Sequence, residues 1–222
     1  GTGEALLRFR QRDDDSPWTS AIKFHRSHTT LDRFKVRFAG PIRWREGIAY
    51  GASVIGSTDN LDQGPNELKF NPRFTRLDLE IPPVKDPAGS VEALRLMSLR
   101  NVRGGVIAGN ILRGGQVEFF GGPWRIEKNR SVGTVPGTAS AGVFAGHWTH
   151  DLILKGNWAE PLGPHGKTWR FLVLTVWGKG DVISGNTIRG IGPRDDDTIA
   201  WANAPETFLT ESYHLSYEGK VM

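Results

Sequence analysis

One short phrase recurs, imperfectly, through the second half of this chain. It reads Val106-Ile107-Ala108-Gly109-Asn110-Ile111-Leu112-Arg113-Gly114, then Arg125-Ile126-Glu127-Lys128-Asn129-Arg130-Ser131-Val132-Gly133. It returns as Ile153-Leu154-Lys155-Gly156-Asn157-Trp158-Ala159-Glu160-Pro161 and as Val182-Ile183-Ser184-Gly185-Asn186-Thr187-Ile188-Arg189-Gly190. A branched aliphatic residue, Ile107, Ile126, Leu154 or Ile183, always stands three positions before the Asn. Gly precedes the Asn in three of the four copies and follows it by four positions in three of four. Tyr217-Glu218-Gly219-Lys220 is a looser fifth copy, with Lys in the Asn position. Repeats at intervals of about 20–50 residues mark stacked architectures, because one unit cannot bury its apolar face alone.

A second set of short apolar runs accompanies the phrases: Val117–Phe120, Gly142–Ala145, Phe171–Leu174 and Thr207–Thr210. Each repeat therefore holds at least two strands separated by a bend. Asn-to-Asn spacings are 19, 28 and 29 residues, then 34 to Lys220. Short strands with connections of uneven length suit a stack, since inserts project sideways from it. In the first half, Ala21–Phe24 and Ile48–Gly56 read as strands and turns. Between Leu31 and Gly40, Phe34, Val36 and Phe38 fall on one face and Arg33, Lys35 and Arg37 on the other, the period of a half-buried strand. Leu77–Ile81 is a further expected strand. The polar run from Ser57 to Asn66 and the prolines Pro82, Pro83 and Pro87 make the region near 57–90 an expected irregular insertion. Helix signals are weak, and we expect helix in less than about 10% of the chain.

Stacking explains the phrase physically. Parallel pairing at about 4.8 Å would align the aliphatic residues as an internal column and the asparagines as an amide ladder at a bend. Asn tolerates a left-handed backbone at such a bend, and the flanking glycines let the chain turn.

The Gly-Asn phrases, alternating strands and uneven loops resemble the right-handed parallel β-helix proteins of the pectate-lyase-like fold. The resemblance is best from Val91 to Met222 and extends to Ala21–Gly56. It implies an all-β, single-stranded parallel β-helix over residues 1–222, as a piece of a longer chain. It also implies an extracellular or periplasmic protein acting on polysaccharide, as a lyase or a glycoside hydrolase. Fold alone does not select an activity, so a non-catalytic adhesive or carbohydrate-binding scaffold is the alternative.

Composition narrows the partners. The formal charge is +4, which favours anionic ligands. The basic residues are dispersed, which argues against nucleic acid and leaves an acidic polysaccharide as the expected partner. No apolar run approaches the ~18–20 residues a membrane-spanning helix needs. Cysteine is absent, so disulfides and thiol chemistry are excluded.

Chemical candidates lie in three places. Gly146-His147-Trp148-Thr149-His150-Asp151 offers His147 and His150 as a general base or metal ligands. Arg194-Asp195-Asp196-Asp197 offers carboxylates for acid–base work, and Asp195, Asp196 and Asp197 together for Ca²⁺. Glu118, His147, Trp177 and Glu211 stand at comparable strand ends, where stacking would bring them together. Trp148 and Trp177 can stack on sugar rings, and Lys155 and Arg170 can neutralise uronate carboxylates. The plainer reading of each is a polar loop or an external ladder. Ser57-Thr58-Asp59, Gly146-His147 and Asp195-Asp196 are fragments of the polygalacturonase motif set, but their order differs and no Arg-Ile-Lys exists.

Overall fold

Each Asn phrase folds as two short strands with a sharp corner between them. The pairs are Gly105–Ala108 with Ile111–Arg113 and Trp124–Glu127 with Arg130–Val132. Ile153–Lys155 with Trp158–Glu160 and Val182–Ser184 with Thr187–Ile188 complete the set. A third strand follows each pair: Gln116–Phe120, Gly142–His147, Arg170–Thr175 and Thr198–Ala202. The strand expected at Thr207–Thr210 lies outside the described residues. The computed structural model describes residues 5–9, 20–38, 53–57, 68–82, 84–85, 91–92, 95–133, 142–147, 149–160, 170–175, 180–188, 198–202, 216–217 and 220–221.

Among the described residues the fold is all-β, without helix, and its strands form three main sheets of six, nine and seven strands. Sheet I holds the strands before each Asn, sheet II the strands after it, and sheet III the third set. From Gly105 onward the chain visits them in the same rotation, I to II to III. Pairing within sheets I and III is parallel throughout. We call one strand from each sheet a tier.

The first half belongs to the same sheets. Thr30–Asp32 and Arg73–Thr75 continue sheet I, and Phe34–Phe38 and Asp78–Glu80 continue sheet II. The region near 57–90 thus contributes two strands paired on both sides, with Val84–Lys85 and Val91–Glu92 forming a small antiparallel ribbon. The alternation read from Leu31 to Gly40 is broken at Arg33, which has φ 56° and turns the chain from sheet I to sheet II. Beyond it the expected faces hold: Val36 is fully buried, with Phe34 and Phe38 packed against the core. The fifth phrase does not continue the repeat. Tyr217 pairs with Ile188, past the Asn position, and Lys220 turns back antiparallel to it.

Register makes the core. Leu31, Phe74, Ile107, Ile126, Leu154 and Ile183 are partners in successive strands of sheet I. All but Leu31 are essentially buried. Each such side chain contributes about 1.5–3 kcal/mol on leaving water.

The asparagines stand in a buried file beside this column. The Asn110 side-chain oxygen accepts from the Leu77 backbone N–H at 2.9 Å. The Asn129 oxygen accepts from both the backbone N–H and the side-chain amide of Asn110, at 3.0 and 2.8 Å. Asn157 serves Asn129, and Asn186 serves Asn157, in the same way. Each amide also donates to a sheet I carbonyl one tier away: Asn110 to Phe74, Asn129 to Ile107, Asn157 to Ile126 and Asn186 to Leu154. The accepting residue is the aliphatic or aromatic core residue that stands three before the corresponding Asn position, which explains the fixed spacing.

The bend itself is not made by Asn. Positive φ falls on the preceding residue: Gly109 at 64°, Lys128 at 54°, Gly156 at 62° and Gly185 at 60°. The left-handed residue turns the chain, and Asn, with its side chain buried, ties the corner to the next tier.

Asn129→Ala would leave the Asn110 N–H and the Ile107 carbonyl without these partners in the interior. At about 1–3 kcal/mol for each buried unsatisfied group, we expect a loss of about 3–5 kcal/mol in chemical denaturation. That equals the effect expected of Ile126→Ala, about 2–5 kcal/mol; a cost under 1 kcal/mol would show that the ladder is ornamental.

Candidate functional site

The corner between sheets I and II is exposed along its whole described length. Its left-handed position is occupied, tier by tier, by Arg33, Arg76, Gly109, Lys128, Gly156 and Gly185. Glycine takes this conformation freely, whereas an L-residue with a side chain bears roughly 1–2 kcal/mol there. Three tiers nonetheless carry a long cation.

Two of these cations border a cleft of about 410 Å³. Arg33, Lys35 and Arg76 supply its positive charge, and Phe34, Leu77 and Ile111 its apolar wall. Gly109 forms a notch in the floor, where an added Cβ would meet only the Arg76 side chain, at 3.9 Å. Asp78 lines the cleft too and Asp32 lies beside it, and both carboxylates are engaged. Asp32 accepts from Arg76 at 2.5 and 2.8 Å and from Thr75 at 2.7 Å, with Arg33 at 3.6 Å. Asp78 accepts from Arg37 at 2.6 Å and from Arg113 at 3.1 Å, and Arg37 also reaches Glu80. Among the described residues the groups around this cleft are the cations Arg33, Lys35, Arg37, Arg76 and Arg113 and the carboxylates Asp32, Asp78 and Glu80.

The hydrogen bond from Arg76, seconded by that from Thr75, holds Asp32 below the ordinary carboxylate range. At Asp78 burial opposes ionisation most strongly, but the hydrogen bonds and charges of Arg37 and Arg113 outweigh it, and its pKa is lowered too. Both are fixed anions that organise guanidinium groups, and neither suits proton donation near neutrality.

The residues singled out from the sequence are distributed differently. His147 ends a sheet III strand, in register with Phe120 and Thr175. Arg170 opens the next strand, opposite Gly142. Trp148, Trp177, Asp195, Asp196, Asp197 and Glu211 lie outside the described residues. Glu118 does not share His147's position, for its register partner is Ala145. It is buried and bound to Arg95 at 2.9 Å, Arg100 at 3.4 Å and Ser98 at 3.1 Å. Lys155 is exposed at the sheet I–II corner, where its carbonyl accepts from the Lys128 N–H at 3.1 Å. Among the described residues no group of three or more His, Asp or Glu side chains is placed to hold a metal ion.

His150 is exposed and bonded to Asp151 at 3.1 Å. Asp151 has φ 52° and shares the corner before sheet I with His28, Asn71, Gly104 and Gly180, all left-handed. Its backbone role is therefore sufficient to explain an Asp, which visits that region more readily than most residues. The buried acid nearby was not foreseen. Asp181, fully enclosed, accepts from the Leu152 N–H at 2.9 Å and from the Thr149 hydroxyl at 2.8 Å. It caps the neighbouring tier as the asparagines do.

The cleft was also missed in the sequence, although a signal for it exists. Leu31-Asp32-Arg33-Phe34 and Phe74-Thr75-Arg76-Leu77 have the repeat's spacing, with a large apolar residue in the Asn position. No family model matches this chain, and neither a curated protein nor a solved structure matches it.

Burial raises the Asp181 pKa above 3.8, against the hydrogen bonds from Leu152 and Thr149. A native pKa above the unfolded one means stability is fully present below the unfolded value and is lost as pH rises through the native one. Asp181→Asn keeps an acceptor for Leu152 and removes the buried charge. We expect a higher melting temperature than wild type at pH 7, with the gap closing below about pH 4. A variant less stable at pH 7 would mean that the carboxylate balances a charge of its own.

Proposed function

We propose that this chain is a parallel β-helix, right-handed by its resemblance to the pectate-lyase-like fold, that binds an acidic polysaccharide. The observation that carries this reading is the cleft at the sheet I–II corner. It combines Arg33, Lys35 and Arg76 with an apolar wall, a glycine notch and the arginine-paired carboxylate of Asp78. A uronate or sulfated sugar presents the complementary surface: an anion on one side of the ring and C–H groups on the other. Repeated rotation through three parallel sheets, with an internal amide ladder, supports the β-helix architecture.

Cleavage of the bound polymer, by elimination or by hydrolysis, extends this reading, as does an extracellular or periplasmic location. Its chemistry would come from His147, His150, Asp195, Asp196 and Glu211, with Trp148 and Trp177 stacking on sugar rings, and Ca²⁺ held by Asp195, Asp196 and Asp197 would be a cofactor of the elimination route. The cleft's own carboxylates do not serve it, since Asp32 and Asp78 are committed to arginines.

Binding should favour acidic over neutral oligosaccharides and weaken with added salt. Arg33→Gly with Lys35→Gln should lower affinity for an oligouronate at least about tenfold, two charge-assisted contacts being removed at about 1.5–3 kcal/mol each. Isothermal titration against oligogalacturonate, oligoalginate and heparin fragments measures this. Absorbance near 235 nm and reducing-end release, about the usual lyase and hydrolase readouts, follow cleavage separately. Equal affinity for neutral and acidic sugars would overturn the reading.

A further inference from the structure

The basic character of the corner does not stop at the cleft. Lys128 occupies the same left-handed position two tiers beyond Arg76, with Gly109 between them. Among the described residues Lys128 has no ion-pair partner, and its side chain is exposed. Arg130, one residue past the adjoining Asn, lies over the Trp158 ring at 4.6 Å. Register places Arg130 in the outward file of sheet II that begins with Leu6 and runs through Lys35, Asp78 and Ile111. Lys155 adds a cation one tier further, beside Lys128.

The neighbouring acid is spoken for. Glu127 is bound to Arg125 at 3.0 Å. The stacking repeat of about 4.8 Å puts Lys128 about 10 Å from Arg76 and about 14 Å from Arg33 along the stack. Arg33 and Arg76 are held by Asp32, but among the described residues no ion pair accounts for Lys128, and Gly109, Gly156 and Gly185 make the same corner without a side chain. Held cations in a strained backbone conformation point to a ligand.

Resting on the binding reading above, we propose that Lys128 and Arg130, with Lys155, form a second anion subsite, in line with the cleft. The ligand is then a polyanionic oligosaccharide lying along the stacking axis, with charges engaged at both places. The Trp158 ring steadies the Arg130 guanidinium through a cation–π contact while leaving its N–H donors for an anion. A short oligomer reaches only one subsite. A longer one gains the second contact intramolecularly, which multiplies affinity without a new interface.

A length series of one acidic oligosaccharide, disaccharide to octasaccharide, tests this by titration calorimetry. Affinity of the wild type should rise at least about twentyfold between the shortest and the longest. Lys128→Gly with Arg130→Gln should compress that ratio to about twofold while leaving disaccharide affinity unchanged. Lys128→Gly should retain the wild-type melting temperature; Lys128→Gln with Arg130→Gln serves as a second variant if the first unfolds. A flat length series, or a variant that keeps the wild-type series, overturns the second subsite and leaves the cleft reading standing. No binding of acidic sugars of any length overturns both. Single-stranded DNA binding as tightly as the octasaccharide, with the same variants affected, overturns the assignment to polysaccharide.

Discussion

The amide ladder is the interaction on which the rest of this structure depends. A parallel stack satisfies strand backbones by pairing, but the corners between strands have no such partner. Asn110, Asn129, Asn157 and Asn186 settle one corner in four successive tiers, each receiving from the tier before and giving to it. Their burial makes those hydrogen bonds expensive to lose, so one register is selected. A strand shifted by one residue would move Ile107 or Leu154 to the outer face and the amide away from its carbonyl. The ladder and the aliphatic column thus enforce the same register from two sides of a single corner.

That corner also governs what the surface can carry. Because the residue before each Asn is left-handed, its side chain stands exposed in solvent, while the Asn side chain is buried. Glycine is the least strained occupant. Arginine and lysine there are a choice that the backbone resists, and the resistance is visible only when all tiers are compared. Asp32 pairs with the corner arginines Arg33 and Arg76, whereas Lys128 has no ion pair among the described residues.

Much of the architecture was legible in the sequence because the stack repeats a physical constraint. An Asn with an aliphatic three residues earlier, preceded by Gly in three copies and by Lys128 in the other, marked the corner, the core column and the parallel pairing. Where the Asn is replaced the signal weakened. Phe34 and Leu77 occupy its place in the first two tiers, so hydrophobic contact substitutes for amide bonding and the phrase no longer looks the same. Arg73–Thr75 and Asp78–Glu80 were hidden in this way inside a segment rich in turn residues. Tyr217-Glu218-Gly219-Lys220 failed in the opposite sense: a matching composition stands out of register. The candidate site was less legible still. A search for paired carboxylates and histidines points to loops, whereas the cleft gathers cations separated by more than forty residues, Arg33 and Arg76.

Separation of binding from chemistry follows from the same geometry. Proton transfer to a glycosidic oxygen needs a carboxyl whose proton is available near neutrality, and removal of a proton beside a uronate needs a base with a free lone pair. Around the cleft, guanidinium groups hold Asp32 and Asp78 ionised and saturate their oxygens. The arginine pairing that leaves the corner basic therefore disables these carboxylates as acid–base groups. His147 ends a strand of sheet III, whereas the cleft lies where sheets I and II meet. A polymer held along the corner would be gripped there and processed, if at all, by residues of another face. On a stack of short strands such a division requires no domain boundary, because each face of one tier is built from a different strand.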